Sequence, residues 1–381
     1  MPISFLAETP EKIKEAGVGS KVYDVAGSYT FTVPTGVDEI YVGVWGAGGS
    51  GACDASYGGT GGGGGGFAGG WIKANSSTYS VVVGAGGTYA SSSGTDGNDG
   101  GSSSFGAIFS ATGGKAGIRS TSNEDRLGGA GGVGSISGDV LAQPTTADGG
   151  RGGNIYYIAN TLQKVWTGGG ASGSPLGNGG RGGDIQSYRT GGNSFTGGGG
   201  WANGHGGDLV SAQASGEQQT GGGGAFHRAG SIRSNSTAYG AGGSPFGGGG
   251  WNNSQNVTYY DNGHRGAVHI PTYYNLIHGR LFNSYFNRTD NFSAPIGVGG
   301  SGFHVKGSQG GMCAGNAGFL GQFVSNLWFN ATGGGNGFDP VDGTHDATIP
   351  ETFAAGNASG SGGTSSSYFA GGGAGIVIIC W

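Results

Sequence analysis

Apolar and polar positions alternate along the first quarter of the chain. Tyr29, Phe31 and Val33 are separated by Thr30 and Thr32, and Ile40, Val42 and Val44 by Tyr41 and Gly43. A period of two places one set of side chains on a buried sheet face and the other in solvent, so these runs are predicted strands of an antiparallel, half-exposed sheet. Pro34-Thr35-Gly36 supplies the turn between them. Tyr79-Ser80-Val81-Val82-Val83 predicts another strand, and residues 105–111, closed by Thr112-Gly113-Gly114, predict a strand pair. At the end of the chain Ile376-Val377-Ile378-Ile379-Cys380 is apolar at every position, which predicts a strand that returns and pairs inside the same sheet.

From about residue 128 neither the strand period nor the helix period continues. Glycine accounts for 97 of the 381 residues. Several blocks leave two of every three positions without a side chain, as in Gly149-Gly150-Arg151-Gly152-Gly153-Asn154 and Gly179-Gly180-Arg181-Gly182-Gly183-Asp184. A chain with three residues per turn turns two bare edges and one decorated edge outward from such a triplet, so bare edges can lie against other backbones. Its amide and carbonyl groups all point outward and need partners, which neighbouring glycine segments supply. Ten prolines and no sustained triplet rule out a collagen triple helix. Disorder is opposed by 7 Trp, 16 Tyr and 18 Phe with only 10% charged residues. One block recurs: Ser194-Phe195-Thr196-Gly197-Gly198-Gly199-Gly200-Trp201 is echoed by Ser244-Pro245-Phe246-Gly247-Gly248-Gly249-Gly250-Trp251.

The predicted fold class is therefore mostly β and irregular, an N-terminal antiparallel β-domain joined to a bundle of polyglycine-II helices with long display loops. It divides into an attachment arm at 1–20, a β-domain at 21–127, a glycine-rich bundle at 128–373 and a returning strand at 374–381. In the arm, Thr9 is a helix cap, Pro10 suits the first helical position and Gly17 the stop.

Charge narrows the partners. The balance is 17 minus 22, or −5, without a basic run, so no nucleic-acid partner is expected. The apolar run at 375–381 is far shorter than the ~20 residues of a spanning helix, so no membrane insertion is expected. Residues 1–20 lack the basic start and apolar stretch of a secretion signal, which points to synthesis in the cytoplasm. Cys53, Cys313 and Cys380 are too scattered for a disulfide framework or a zinc cluster and read as buried thiols.

Gly46-Ala47-Gly48-Gly49-Ser50-Gly51 follows a strand and fits a dinucleotide fingerprint, but no acidic residue occurs between Asp54 and Asp96, so no cofactor is expected. Gly204-His205-Gly206-Gly207-Asp208 and the block ending at Asp184 resemble a calcium-binding nonapeptide, which needs tandem copies; they read as isolated and imply no metal. His264, His269 and His278 have no regular metal-ligand spacing. With no nucleophile elbow or phosphate loop either, the chain reads as non-enzymatic.

What remains are the segments between glycine blocks. Tyr, Arg, His and Asn on loops held by a stiff scaffold form the composition of a recognition surface, since Tyr offers large contact area with few rotatable bonds. The contact candidates are Tyr156, Tyr157, Trp166 and Tyr188, together with Tyr259, Tyr260, His264, Arg265, Tyr273, Tyr274, Tyr285 and Phe286 in the aromatic stretch 252–295. The competing account has these aromatics capping the bundle ends.

The chain resembles the glycine-rich proteins and domains of bacteriophage tail fibres, including the tip adhesins of T-even-type long tail fibres. The likeness rests on Tyr29-Thr30-Phe31-Thr32-Val33-Pro34 followed by Ile40-Tyr41-Val42-Gly43-Val44-Trp45-Gly46-Ala47-Gly48-Gly49, on the stretch from Ser103-Ser104-Phe105-Gly106 to Ala111-Thr112-Gly113-Gly114, and on the terminal Ala374-Gly375-Ile376-Val377-Ile378-Ile379-Cys380-Trp381. The resemblance implies a polyglycine-II scaffold whose loops bind a bacterial surface receptor, an outer-membrane protein or a surface glycan. It also implies a place in the virion, anchored on another virion protein through residues 1–21. The chain departs from that family in its long excursion at 252–295 and in having no fibre-shaft repeat. The alternative is a structural tail-tip or head-decoration protein with no receptor contact.

Overall fold

The computed structural model describes residues 19–52, 58–88, 94–119, 124–156, 165–175, 177–186 and 372–381, with positions 194–196, 198–199, 203, 205–206, 208, 218–219, 319–320 and 338–339. The described residues are all-β and contain no helix. In chain order the strands are β1 (Ser20–Tyr23), β2 (Gly27–Thr32), β3 (Glu39–Trp45), β4 (Gly58–Gly59), β5 (Phe67–Lys73), β6 (Thr78–Val83), β7 (Ser103–Phe105) and β8 (Phe109–Ala111). They continue with β9 (Gly134–Ile136), β10 (Ala142–Ala147), β11 (Val165–Trp166), β12 (Ser194–Phe195), β13 (Gln218–Gln219), β14 (Phe319–Leu320), β15 (Phe338–Asp339) and β16 (Ile376–Cys380).

Two antiparallel five-stranded sheets, β1-β16-β3-β5-β10 and β2-β6-β7-β8-β9, face each other. Ile40, Val42, Val44, Ala68, Ile72, Val377 and Ile379 from the first meet Phe31, Val81, Val83, Phe105, Phe109 and Ala111 from the second. Alternation selects this core: Val81 and Val83 point inward while Val82, between them, is 37% exposed. The terminal strand returns as expected, with β16 between β1 and β3 and Ile376 opposite Trp45.

Two expectations are corrected. β3 is not half exposed, because its second face is buried too: Trp45 packs on Phe67 at 4.6 Å between ring centres, and its Nε1 donates to the Gly173 carbonyl at 3.0 Å. The division at residue 127 also fails, since β9 and β10 complete the two sheets beyond it and glycine segments run before it. The attachment arm at 1–20 lies outside the described residues except for Gly19, which exchanges backbone hydrogen bonds with Trp381, and Ser20, which opens β1.

The sheets and the glycine segments interleave because the segments continue the strands. Residues 46–52 leave β3, 84–87 leave β6, 112–118 leave β8 and 149–154 leave β10. Residues 60–66 enter β5, 97–101 enter β7, 128–133 enter β9 and 372–375 enter β16. Their hydrogen bonds recur at every third residue. Gly46, Gly49 and Ala52 donate to Gly66, Gly63 and Thr60 at 3.0, 2.9 and 3.1 Å. Ala47 and Ser50 donate instead to Gly101 and Asn98, and Gly48 to Gly373. Three successive residues thus address three different neighbours, and the fourth returns to the first.

Segment 60–66 is enclosed by five others, 46–52, 112–118, 128–133, 149–154 and 167–174, all joined to it by backbone hydrogen bonds. A Cβ on Gly61, Gly62 or Gly63 would strike the backbone of Gly168, Gly49 or Ala130, and the next three glycines repeat the sequence against Ala171, Gly46 and Val133. All three directions are closed by main chain, so no larger residue fits.

Two outcomes are expected. Gly64→Ala drives its Cβ into the Ala171 carbonyl, whereas at Gly36, with φ +83, the Cβ opens on empty space. Gly36→Ala carries only left-handed strain of about 1–2 kcal/mol, so in chemical denaturation Gly64→Ala loses more stability than Gly36→Ala. The second concerns alkali. Burial pushes the Cys380 thiol from 9.0 up to about 12, and burial together with Cys380 raises the Tyr41 phenol. The neutral thiol's stabilisation is complete below pH 9.0 and declines as pH rises toward about 12. Thermal unfolding followed across that window falls less steeply for Cys380→Ala than for the parent protein.

Candidate functional site

The segments run from the two sheets to one opposite end. The described residues on either side of 53–57, 89–93, 120–123, 157–164, 187–193 and 209–217 all stand there. Bridges between Gly59 and Arg119, Arg126 and Ile155, and Ile155 and Ile185 tie neighbouring segments together at this level. β4, β11, β12 and β13 form a parallel row in register, Gly58 to Val165 to Ser194 to Gln218. β15, paired with β14, lies against β4.

Each of the first three strands of the row is followed by a threonine. Thr167 Oγ1 accepts the Gly61 amide at 3.0 Å and donates to the Gly153 carbonyl at 2.7 Å. Thr196 repeats this one row further on, accepting from Gly168 at 3.2 Å and donating to Gly183 at 2.6 Å. Thr60 accepts the Ile118 amide at 2.7 Å. All three are fully buried. A hydroxyl can both donate and accept, so it satisfies an amide and a carbonyl where the parallel ladder gives way to glycine packing.

A second ladder runs beside the first. Arg151 forks onto Asp184 at 2.7 and 2.8 Å, and Arg181 forks onto Asp208 at 2.6 and 2.7 Å. Each aspartate also accepts a backbone amide from the preceding row, Asp184 from Asn154 at 2.7 Å and Asp208 from Asp184 at 2.8 Å. Asn154 holds the equivalent place, accepting from Gly128 at 2.9 Å. His205 stands in the arginine position of the third row, its Nδ1 accepting the Arg181 amide at 3.2 Å. The blocks that read as isolated are thus consecutive rows, and their carboxylates are engaged by guanidinium. Burial opposes the charge on Arg181, but its hydrogen bonds to Asp208 and the charges of Asp184 and Asp208 hold its pKa above the ordinary value. Bidentate pairing with a planar fork fixes distance and orientation together. Chemically the arrangement is a mechanical interlock, and no cluster with metal-ligand geometry occurs among the described residues.

The contact candidates fall in three groups. Tyr156 sits at the end opposite the sheets, partly buried; its hydroxyl accepts from Asn154 Nδ2 at 2.9 Å and its amide donates to the Ile185 carbonyl. Trp166 is corrected. It is 0% exposed inside β11, so it has no surface to offer a ligand and belongs to the packing of the row. Tyr157, Tyr188, Tyr259, Tyr260, His264, Arg265, Tyr273, Tyr274, Tyr285 and Phe286 lie outside the described residues. The structure therefore brings together Tyr156 and the bases of the excursions. It joins Arg151, Arg181, Asp184 and Asp208, which the sequence showed only as decorated positions of separate glycine blocks, and adds Thr60, Thr167 and Thr196, which sequence reasoning passed over. Their signal was the pairing of an Arg-Gly-Gly-Asn/Asp block with a later Thr-Gly-Gly.

Asp184→Ala strips Arg151 of its carboxylate and Asn154 of its amide acceptor. Removing one member of a largely buried pair costs about 3 kcal/mol, so a loss of that order is expected in urea unfolding. Asp184→Asn, which copies Asn154, keeps the amide acceptor and loses less.

No curated protein matches the chain. A family model described as a glycine-rich domain matches residues 24–273, more than half the sequence, from just before β2 through β10 and the interlocked rows, with β1 and β16 outside it. The chain belongs to that glycine-rich domain family.

Proposed function

We propose that this chain is a virion-borne receptor-binding adhesin of a bacteriophage. In this reading the glycine segments are polyglycine-II helices, which the third-residue recurrence of their hydrogen bonds supports, since such a helix has three residues per turn. The observation that carries the proposal is the polarity of the molecule. Gly19 and Trp381 meet at the sheet end, while the excursions at 53–57, 89–93, 120–123, 157–164, 187–193 and 209–217 all begin and end at the other. One end suits attachment to another virion protein through residues 1–18, and the other suits display toward a bacterial surface.

Rigid display lowers the ordering cost of binding, because the bases of the loops are already held before contact. Several copies on one particle would add avidity. The aromatic stretch 252–295 supplies Tyr259, Tyr260, Tyr273 and Tyr274, side chains suited to contact with a glycan or an outer-membrane protein loop. In this reading the chain carries out no catalysis and takes no cofactor.

Purified protein binds the outer-surface fraction of the bacterium its phage infects and competes with infection. Replacing Tyr259, Tyr260, Tyr273 and Tyr274 together by Ala abolishes that binding with circular dichroism and melting temperature unchanged. Protein that ignores bacterial surfaces yet joins tail or head components would establish the structural alternative instead.

A further inference from the structure

Among the described residues the sandwich has four edge strands, and three of them carry features that discourage pairing. β10 contains Pro144 and a register shift between Ala142 and Thr145, with Gln143 at φ 53. β9 is three residues long, and β1 is four residues long with Lys21 at its centre. Proline, irregularity, shortness and lysine are the devices by which sheets blunt their edges. β2 has none of them. It runs six residues as Gly27-Ser28-Tyr29-Thr30-Phe31-Thr32, uncharged and rich in strand-forming side chains.

The direction of its free backbone groups follows from its pairing with β6. Val33 donates to the Ser77 carbonyl one step beyond the strand, and Tyr29 and Phe31 lie opposite Val81 and Tyr79 in the same register. In an antiparallel pair, residues two apart point their amides and carbonyls the same way. Residues 29, 31 and 33 therefore face β6, and Ser28, Thr30 and Thr32 turn theirs outward. The side chains of these three are exposed, and no other described residue pairs along this edge. Two exposed apolar side chains flank it, Val25 at 57% and Val82, opposite Ser28, at 37%.

We propose that the β2 edge pairs with the β2 edge of a second copy of this chain across a two-fold axis. The pattern is self-complementary. An antiparallel pair centred on Thr30 sets Thr30 against Thr30 and Ser28 against Thr32 of the second copy, and every outward amide meets an outward carbonyl. Hydroxyl pairs are favourable across strands, and no like charges meet. The same register brings Val25 beside Pro34 and Thr35 of the second copy, covering an otherwise exposed apolar group. A two-fold contact closes on itself, so the product is a dimer rather than a fibre. The β2-β6-β7-β8-β9 sheets of the two copies become one, and the ends opposite the sheets remain open.

Thr30 lies at the axis, so one substitution tests the register. The full chain sediments at twice its own mass, Thr30→Lys and Thr30→Glu each at once its mass, and an equimolar mixture of the two variants returns to twice. Melting temperature and circular dichroism of the separate variants confirm that both are folded. A parent protein that stays monomeric at every concentration overturns the proposal. So does a Thr30→Lys protein that remains dimeric, or a mixture of the two variants that fails to reassociate.

Discussion

The structure depends on how closely two peptide backbones approach when neither carries a Cβ. At Gly61 through Gly66 every direction a side chain could take is filled by another segment's main chain, while the amides and carbonyls find partners in those same segments. Exclusion and satisfaction are one arrangement seen from two sides. A buried backbone without secondary structure ordinarily leaves polar groups unpaired. Here the third-residue recurrence distributes them among several neighbours, and glycine is the residue that lets those neighbours come near enough. Glycine's large entropy loss on folding is offset by cross-links in three directions rather than along a single ladder.

That lattice has little to set its register, since one glycine resembles the next. The sandwich supplies it. The strands β3, β6, β8 and β10 run directly into segments, and β5, β7, β9 and β16 receive them, so the side-chain pattern that fixes the sheets also fixes where each segment begins. Ile40, Val42 and Val44 can face Phe31, Val81 and Phe105 in only one register, because a slip of one residue would turn them to the other face. Hydrophobic sorting at one end thereby determines backbone packing at the other.

Four strands of the sandwich were legible because bulky residues carry their pattern. Tyr29 to Val33, Ile40 to Val44, Tyr79 to Val83 and the terminal apolar run correspond to β2, β3, β6 and β16. β5 was hidden in a glycine block. Gly69 and Gly70 erase the alternation that Phe67, Ala68, Trp71 and Ile72 would otherwise show, and they are glycine because a Cβ at Gly69 would press on the Val42 carbonyl and the Phe67 ring. β10 was obscured by Pro144, which an edge strand tolerates. The interlocked rows were visible only as fragments, since Arg151 and Asp184 stand thirty-three positions apart. Aromatic composition also misled at Trp166, because a large side chain beside a glycine block serves as packing as readily as display.

The rows explain how the ends of the excursions are held. Three excursions, 157–164, 187–193 and 209–217, leave just after an acceptor, Asn154, Asp184 or Asp208, and return at β11, β12 or β13 of the parallel row; for β11 and β12 a buried threonine follows. Both feet are held by bonds to adjoining rows. The bonds that hold the rows run between residues of the glycine blocks, Arg151 to Asp184, Arg181 to Asp208 and Asn154 to Asp184, so the ends of these excursions are fixed by residues that lie outside them. In the proposed adhesin, that separation places the constraint of the fold in the backbone and leaves the loop side chains to be chosen by what they touch.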